Sequence, residues 1–417
     1  MKLLFVHQNT PGQYKHLAPY MASIPGNEVV FIGKAKRELT NVLSVVYAPS
    51  RKPAKETHHY LRGFEDQVLH GQAVARVGID LQRRGFVPDV ICAHPGWGEA
   101  LFLKDVFPSA KLLAFCEFFY RSRGSDVGFD PAHELTIDAA CRIRCKNATL
   151  LTSLDAADWG ISPTEWQRSQ HPDGLHSKIS VVHDGVDTEV CRPDESATVT
   201  LPDGRVLSRA DEVVTYIARN LEPYRGFPTF MRAAEEICRR RPNAQILVIG
   251  DDDVSYGARP TGAPNWRTKM LEEVRLDPAR VHFLGRVPYT MFLRVVQVSR
   301  AHIYLTYPFV LSWSMLEAMA CGALIIGSNT PPVTEVIEEG RNGLLVDFFD
   351  PKGVADRVDE ALDAPHRFEA VRAAARRTVL ERYDLRSVCL PAQVRLIEDL
   401  YAGRTPPLHP TVGVPVP

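Results

Sequence analysis

The sequence predicts an α/β protein in two similar halves, each a parallel sheet covered by helices. Three observations carry that reading. Short apolar, β-rich runs alternate with longer stretches of helical period, as in β-α-β units. The alternation runs through two consecutive series, and 417 residues exceed one ordinary domain. With 45% hydrophobic and 24% charged residues the chain can bury sizeable cores, which excludes a disordered or fibrous protein. Lys+Arg 49 against Asp+Glu 50 leaves a net charge of -1. No global field draws such a chain to DNA or RNA, and no nucleic-acid partner is expected.

Taken in order, the first series places strands at residues 2–7, 28–32, 89–93, 111–116, 148–153 and 178–183. The second places them at 213–218, 245–250, 280–284, 301–306, 323–327 and 343–346. Residues 1–183 form the first domain. Residues 184–212 read as an interdomain linker, with Asp203-Gly204 as the turn of a small hairpin. Residues 213–383 form the second domain, and 384–403 are expected to be a helix packing back on the first. The proline-rich residues 404–417 are expected to be a disordered tail. No apolar run approaches the ~18–20 residues of a membrane span, and no basic start with a long apolar middle marks a secretion signal, so a cytoplasmic location is expected. The eight cysteines include no C-x-x-C pair, and neither a disulfide nor a metal site is expected.

In open α/β sheets ligands bind beyond the carboxyl ends of the strands. After the strand at 213–218 come Arg219 and Arg225, six residues apart and just before a helix with Pro228 in its first turn. Two guanidinium groups so placed can converge on one diphosphate. A later helix starts near Ser312 and ends at Gly322, its apolar interior broken by Glu317. A carboxylate there needs a partner: a pair of ribose hydroxyls, or an arginine such as Arg219 or Arg286. The amides of residues 311–314 would face a phosphate. In the first half His94 opens the segment Pro95-Gly96-Trp97-Gly98-Glu99, and Glu117, Tyr120 and Arg121 follow the strand at 111–116. They are candidates to line an acceptor site, ordinary interdomain contacts being the competing use. Lys34, Lys36, Arg37, Arg51, Lys52, Lys55 and Arg62, with His58 and His59, form a basic patch that reads as solvated surface. It supports at most peripheral membrane contact.

Several segments together resemble the family-4 retaining glycosyltransferases of GT-B fold. These are the R-x5-R-G loop, the L-E-A-M-A-C-G helix, Asn342-Gly343-Leu344-Leu345-Val346, Phe5-Val6-His7-Gln8-Asn9-Thr10-Pro11-Gly12-Gln13, Val182-His183-Asp184-Gly185-Val186-Asp187 and Phe283-Leu284-Gly285-Arg286-Val287. The resemblance implies two Rossmann-like domains facing a central cleft. It also implies a nucleoside-diphosphate sugar (UDP or GDP) as co-substrate, no obligatory cofactor or metal, and a glycan, lipid-linked or small-molecule acceptor. Carried over residue by residue, Arg219 and Arg225 clamp the diphosphate and Glu317 binds the ribose. The base sits near Asp251, Gly285, Arg286 and Val287. Gly12 and the segment Val310, Leu311, Ser312, Trp313 and Ser314 approach the donor, and His94 contacts the transferred sugar. In one respect the sequence departs from the family. The first glutamate of the family's E-x7-E motif falls on Phe309, and Pro331-Pro332 stand where Gly-Gly is usual. Sugar transfer with retention is the implied reaction. A GT-B nucleotide-sugar epimerase and a nucleotide-sugar-binding module without transfer are the alternatives. A nicotinamide dehydrogenase is disfavoured, because no G-x-G-x-x-G follows the first strand.

Overall fold

Apolar runs, most of them buried on both faces, build the first sheet. Its strands are β1 Lys2–Val6, β2 Glu28–Gly33, β3 Leu43–Val46, β4 Val90–Ala93, β5 Lys111–Phe115, β6 Trp159–Ser162 and β7 Ile179–Val181. They lie in the order β3-β2-β1-β4-β5-β6-β7, and every pair is parallel. Leu4 is registered with Val30 on one side and Ile91 on the other. The period of two divides the core in two. Leu4, Val6, Val30 and Ile32 pack with Ala73, Val74 and Leu81 of helix Arg62–Arg83. Leu3, Phe5, Val29 and Phe31 pack with Leu17, Ala18 and Met21 of helix Leu17–Ser23.

A second sheet follows a small antiparallel hairpin, β8 Thr198–Thr200 and β9 Val206–Ser208, which turns at Gly204 with φ +87°. Its strands are β10 Val213–Asn220, β11 Gln245–Asp251, β12 Val281–Gly285, β13 Ala301–Tyr304, β14 Ile325–Ser328 and β15 Leu344–Val346. The order is β12-β11-β10-β13-β14-β15, again parallel throughout.

The computed structural model describes residues 1–410. The chain divides into two units, Met1–Gly185 with the segment from Leu385 onward, and Val186–Asp384. The expected linker is therefore part of the second unit, and Ala197, Val199, Leu201 and Leu207 lie in its core. Helix Leu390–Tyr401 belongs to the first unit, where Leu396, Ile397 and Leu400 pack against the Leu3–Phe5 face. Part of the expected disordered tail is fixed: Val181 N donates to Leu408 O (2.8 Å) and the Ser180 hydroxyl to Pro407 O (2.6 Å). Residues 411–417 lie outside the described residues.

Residues 148–153, expected as a strand, belong to helix Ile137–Ala156, capped by Thr136 accepting from Ala139 N (3.2 Å). Its buried positions Asn147, Leu150 and Leu154 recur at helical spacing. Strands β3 and β6 lie outside the strands expected from the sequence. Among the described residues no helix is long and apolar enough to cross a membrane.

Four buried histidines are held neutral chiefly by burial: His7 down to about 3, and His171, His183 and His302 to about 4. The unfolded chain takes up these protons near pH 6.5 and the folded chain does not, so stability rises with pH between these limits. The contribution is complete above pH 6.5 and is lost as the pH falls towards 4. Unfolding free energies from urea titrations at pH 7.5, 6 and 5 should fall steeply, by up to ~1.4 kcal/mol per pH unit for each histidine.

Candidate functional site

Where the strand order reverses in the second sheet, β10 and β13 lie side by side and their following segments leave in opposite directions. Beyond β10 the chain turns through Pro223–Arg225 and enters helix Phe227–Arg240 at Gly226, φ +69°. A Cβ on Gly226 would come within 2.4 Å of Leu305, so the loop can close on the end of β13 only with glycine here. Glu222, 1% exposed, accepts from the amides of Ser255 (3.0 Å), Tyr256 (3.2 Å) and Gly257 (2.9 Å). It thereby ties the loop after β11 to the loop after β10.

Arg225 is buried in this junction at 7% exposure. Its Nη1 donates to Thr306 Oγ1 (2.7 Å), Val310 O (3.1 Å) and Tyr304 OH (3.4 Å), and the guanidinium lies over the Tyr256 ring, 5.4 Å from its centroid. All these partners are neutral, and among the described residues no carboxylate forms an ion pair with it. Arg219 stands exposed near the end of β10. The two guanidinium groups share no protein partner.

Helix Trp313–Ala320 starts as expected, with Ser312 as its cap, and ends before Gly322 at φ +78°. The amides expected to be open to a phosphate are partly engaged. Ser312 N donates to Tyr304 OH (2.8 Å) and Ser314 N to Ser312 Oγ (3.4 Å). Leu311, expected at the donor, lies in the second unit's core, while Trp313 is 41% exposed. The half-buried Glu317 meets neither Arg219 nor the exposed Arg286: the Tyr289 hydroxyl donates to its Oε1 (2.7 Å) and sits 3.1 Å from Cys191 Sγ. Asp251 and Gly285 end neighbouring strands, since β11 and β12 pair through Ile249 and Gly285. Val287 packs against the core.

Phe309 is 4% exposed, its ring 4.9 Å from that of Tyr256 and 5.5 Å from that of Tyr224. Tyr224 stacks on Tyr307 at 4.7 Å. An aromatic cluster thus occupies the position where the family pattern has a carboxylate.

In the first sheet the reversal lies between β1 and β4. His7 follows β1, His94 follows β4, and their ring centroids are 5.0 Å apart. His94 Nε2 lies 3.4 Å from Glu117 Oε2. Gly12 closes over His7. His94, Glu117 and Tyr120 line one pocket together with His171. Tyr120 is clamped by Asn147, which accepts from its N–H (3.2 Å) and donates to its carbonyl (2.6 Å). Arg121 is turned elsewhere, donating to the carbonyls of Gln170 (2.9 Å) and His171 (3.1 Å). Among the described residues no cluster of His, Cys, Asp or Glu is arranged to hold a metal ion.

Sequence reasoning missed Tyr289, Tyr256, Glu222 and His7 as site residues. Local signals exist for Glu222, a carboxylate between the two arginines of one loop, and for His7, at the end of the strand expected over 2–7.

Two parallel α/β domains with charged loops at their strand-order reversals define a nucleotide-binding type of architecture. Residues 25–191 match the glycosyl transferase family 4 group, and residues 204–378 match the glycosyl transferases group 1. The D-inositol 3-phosphate glycosyltransferase of Segniliparus rotundus is 26% identical over 199 residues, 47% of this chain and 42% of the relative. That of Rhodococcus jostii is 30% identical over 206 residues, 48% of this chain and 43% of the relative. The chain spans about half the length of the curated relatives it matches. Among solved structures, Anabaena HepE in complex with UDP and glucose superposes with a TM-score of 0.65 at 15% identity, covering 96% of this chain and 100% of that one. Sucrose-phosphate synthase from Thermosynechococcus elongatus gives 0.72 at 14% identity, covering 97% and 100%. The chain belongs to the group 1, family 4 glycosyltransferases of GT-B fold.

Replacing Glu222 by Ala should leave three part-buried amides without their acceptor and cost about 1–3 kcal/mol. Urea unfolding checks this, with the loss confined to the second unit's transition.

Proposed function

We propose that this protein transfers a sugar from a nucleoside-diphosphate sugar to an acceptor hydroxyl, with retention of configuration. The observation that carries the reading is Arg225, a buried guanidinium with only neutral partners at the strand-order reversal of the second sheet. In glycosyl transfer negative charge builds on the departing phosphate while the sugar carbon becomes oxocarbenium-like. A cation already fixed and desolvated stabilises that charge with no reorganisation when the bond breaks. Arg219, exposed at the end of the same strand, supplies a second charge. The leaving phosphate takes the acceptor's proton on the same face of the sugar, so no separate general base is needed.

Glu317, oriented by Tyr289, reads the ribose hydroxyls, and the adjoining ends of β11 and β12, with Asp251, Gly285, Arg286 and Val287, hold the base. His94 contacts the transferred sugar, and Glu117 and Tyr120 serve the acceptor. HepE was solved with UDP-glucose, which makes UDP the first base to test, with GDP second. The co-substrate is the sugar nucleotide, and no obligatory cofactor is proposed. The aromatic cluster around Phe309 favours one other reading, a module that binds a nucleotide sugar without transferring it.

A thermal-shift screen over UDP, GDP and their sugars tests the proposal. A ligand at 100 times its Kd should add ~2.7 kcal/mol of stability. Arg219→Ala should keep the melting temperature and cut turnover by ~10²-fold or more. Arg225→Ala should lose nucleotide affinity together with some stability. Unaltered nucleotide affinity in Arg225→Ala would remove the phosphate role and with it the main support for transfer.

A further inference from the structure

The amino ends of the central strands of the second sheet carry a group of charges that glycosyl transfer does not use. Arg209 shortly precedes β10 and Arg300 immediately precedes β13. Arg372, in helix Glu369–Arg382, reaches the same place: its Nη2 donates to Arg300 O (2.8 Å) and its Nη1 to Pro365 O (3.0 Å). Arg300 Nη2 in turn reaches the carbonyl of Ala210 (3.5 Å), next to Arg209, whose own Nη2 donates to Gly322 O (3.0 Å). Arg219 and Arg225 follow β10 at its carboxyl end, so the two groups of guanidiniums stand at opposite ends of one sheet. Arg372 is 6% exposed, and its Nε is buried without a hydrogen-bond partner. Arg209 and Arg300 are half-buried. The protein partners of all three are main-chain carbonyls, and among the described residues none of them forms an ion pair with a carboxylate.

Carbonyl partners orient a guanidinium but leave its charge uncompensated, and an uncompensated buried charge is the costly arrangement. Here each charge also works against its neighbours. Burial and the charges of Arg209 and Arg300 push Arg372 down to about 10, and burial and Arg300 lower Arg209. Glu195 and Glu369 temper this field without approaching closely enough to pair. A structural clamp on these carbonyls needs hydrogen bonds alone, so gathering three like charges calls for an opposite one. Each guanidinium has five N–H donors, and the carbonyls take one on Arg209, one on Arg300 and two on Arg372. A carboxylate would offer one charge and two oxygens in a plane. A tetrahedral dianion offers twice the charge, with oxygens on every side to meet forks arriving from three segments. We propose that Arg209, Arg300 and Arg372 form a binding site for a phosphate dianion, free or carried on a small metabolite, separate from the place of the donor's diphosphate. The site stands independently of the glycosyl-transfer reading.

Calorimetry and thermal shift on the full chain test it, at constant ionic strength, with inorganic phosphate, sulfate and ribose 5-phosphate as probes and sodium chloride as the reference. Arg209→Gln and Arg300→Gln each remove one half-buried charge while keeping a polar end, and circular dichroism checks their folding. Each should weaken phosphate and sulfate by about tenfold or more, the scale of one charge-assisted hydrogen bond. Arg219→Gln, at the other end of the sheet, should leave both affinities unchanged. Inorganic phosphate bound as tightly as ribose 5-phosphate supports a site for free phosphate. Ribose 5-phosphate bound at least tenfold more tightly, with the margin lost in Arg209→Gln and Arg300→Gln, supports a phosphorylated metabolite. Two results overturn the proposal and leave the arginines as clamps on main-chain carbonyls: equal affinities in wild type and the folded variants, or no binding heat and no stabilisation by phosphate beyond that of sodium chloride. Phosphate affinity lost in Arg219→Gln and kept in the other two variants would put the anion at the donor site and overturn it as well. Because wild type alone can give the negative result, the test survives poor folding of either variant.

Discussion

The crossovers of a parallel sheet are right-handed, and this constraint fixes where the two groups of candidate site residues stand. In the first sheet β2 and β3 lie to one side of β1, and β4 to β7 lie to the other. The second sheet repeats the arrangement about β10 and β13. At each reversal consecutive crossovers go to opposite faces, so the carboxyl ends of the two central strands are left uncovered by the connections between them. Loops ending there cannot bury their polar groups in a helix–sheet layer. His7 and His94 stand at one reversal and Arg225 at the other, all three buried, Arg225 with neutral partners alone.

The second sheet was legible because most of its strands are apolar runs buried on both faces and bounded by turn residues, and all six were found. The first sheet was less so, for local reasons. β3 is a short edge strand with half its surface open, so its pattern carries little hydrophobic signal. β6 reads Trp-Gly-Ile-Ser; its glycine is there because a Cβ would come within 2.8 Å of Cys116 Sγ, which spacing along the chain cannot show. Residues 148–153 have β-like content in six positions and helical periodicity only over twenty. The site divides in the same way. The arginine loop and the start of helix Trp313–Ala320 follow from local signals. Glu317 finding Tyr289, Arg225 finding Val310 O, and Leu311 turning into the core all depend on contacts between distant segments.

Phe309 sits in surroundings that suit an apolar ring. A carboxylate enclosed by Tyr224, Tyr256 and Tyr307 would need donors to offset its desolvation. The phenyl ring needs none and packs edge-on to two of these rings. The same cluster presents the Tyr256 face to Arg225, an attraction that strengthens as water is excluded. With Phe309 here the loop carries no carboxylate at this position, and the guanidinium has an aromatic face beside it instead.

That conclusion bears on how Arg225 can remain buried at all. A guanidinium stays protonated under any folded condition, so it cannot escape desolvation by losing its proton. Three neutral oxygens on Nη1 and one aromatic face recover part of the cost. The carboxylate nearest in sequence is already committed, because Glu222 holds the amides of Ser255, Tyr256 and Gly257. Had the fold required only stability, a buried cation beside a buried carboxylate would pair with it, since leaving either uncompensated is the expensive arrangement. Keeping Glu222 on the amides and Arg225 on neutral oxygens leaves a guanidinium fixed at low dielectric without an ion-pair partner, and under the proposed function an anionic ligand fills that place.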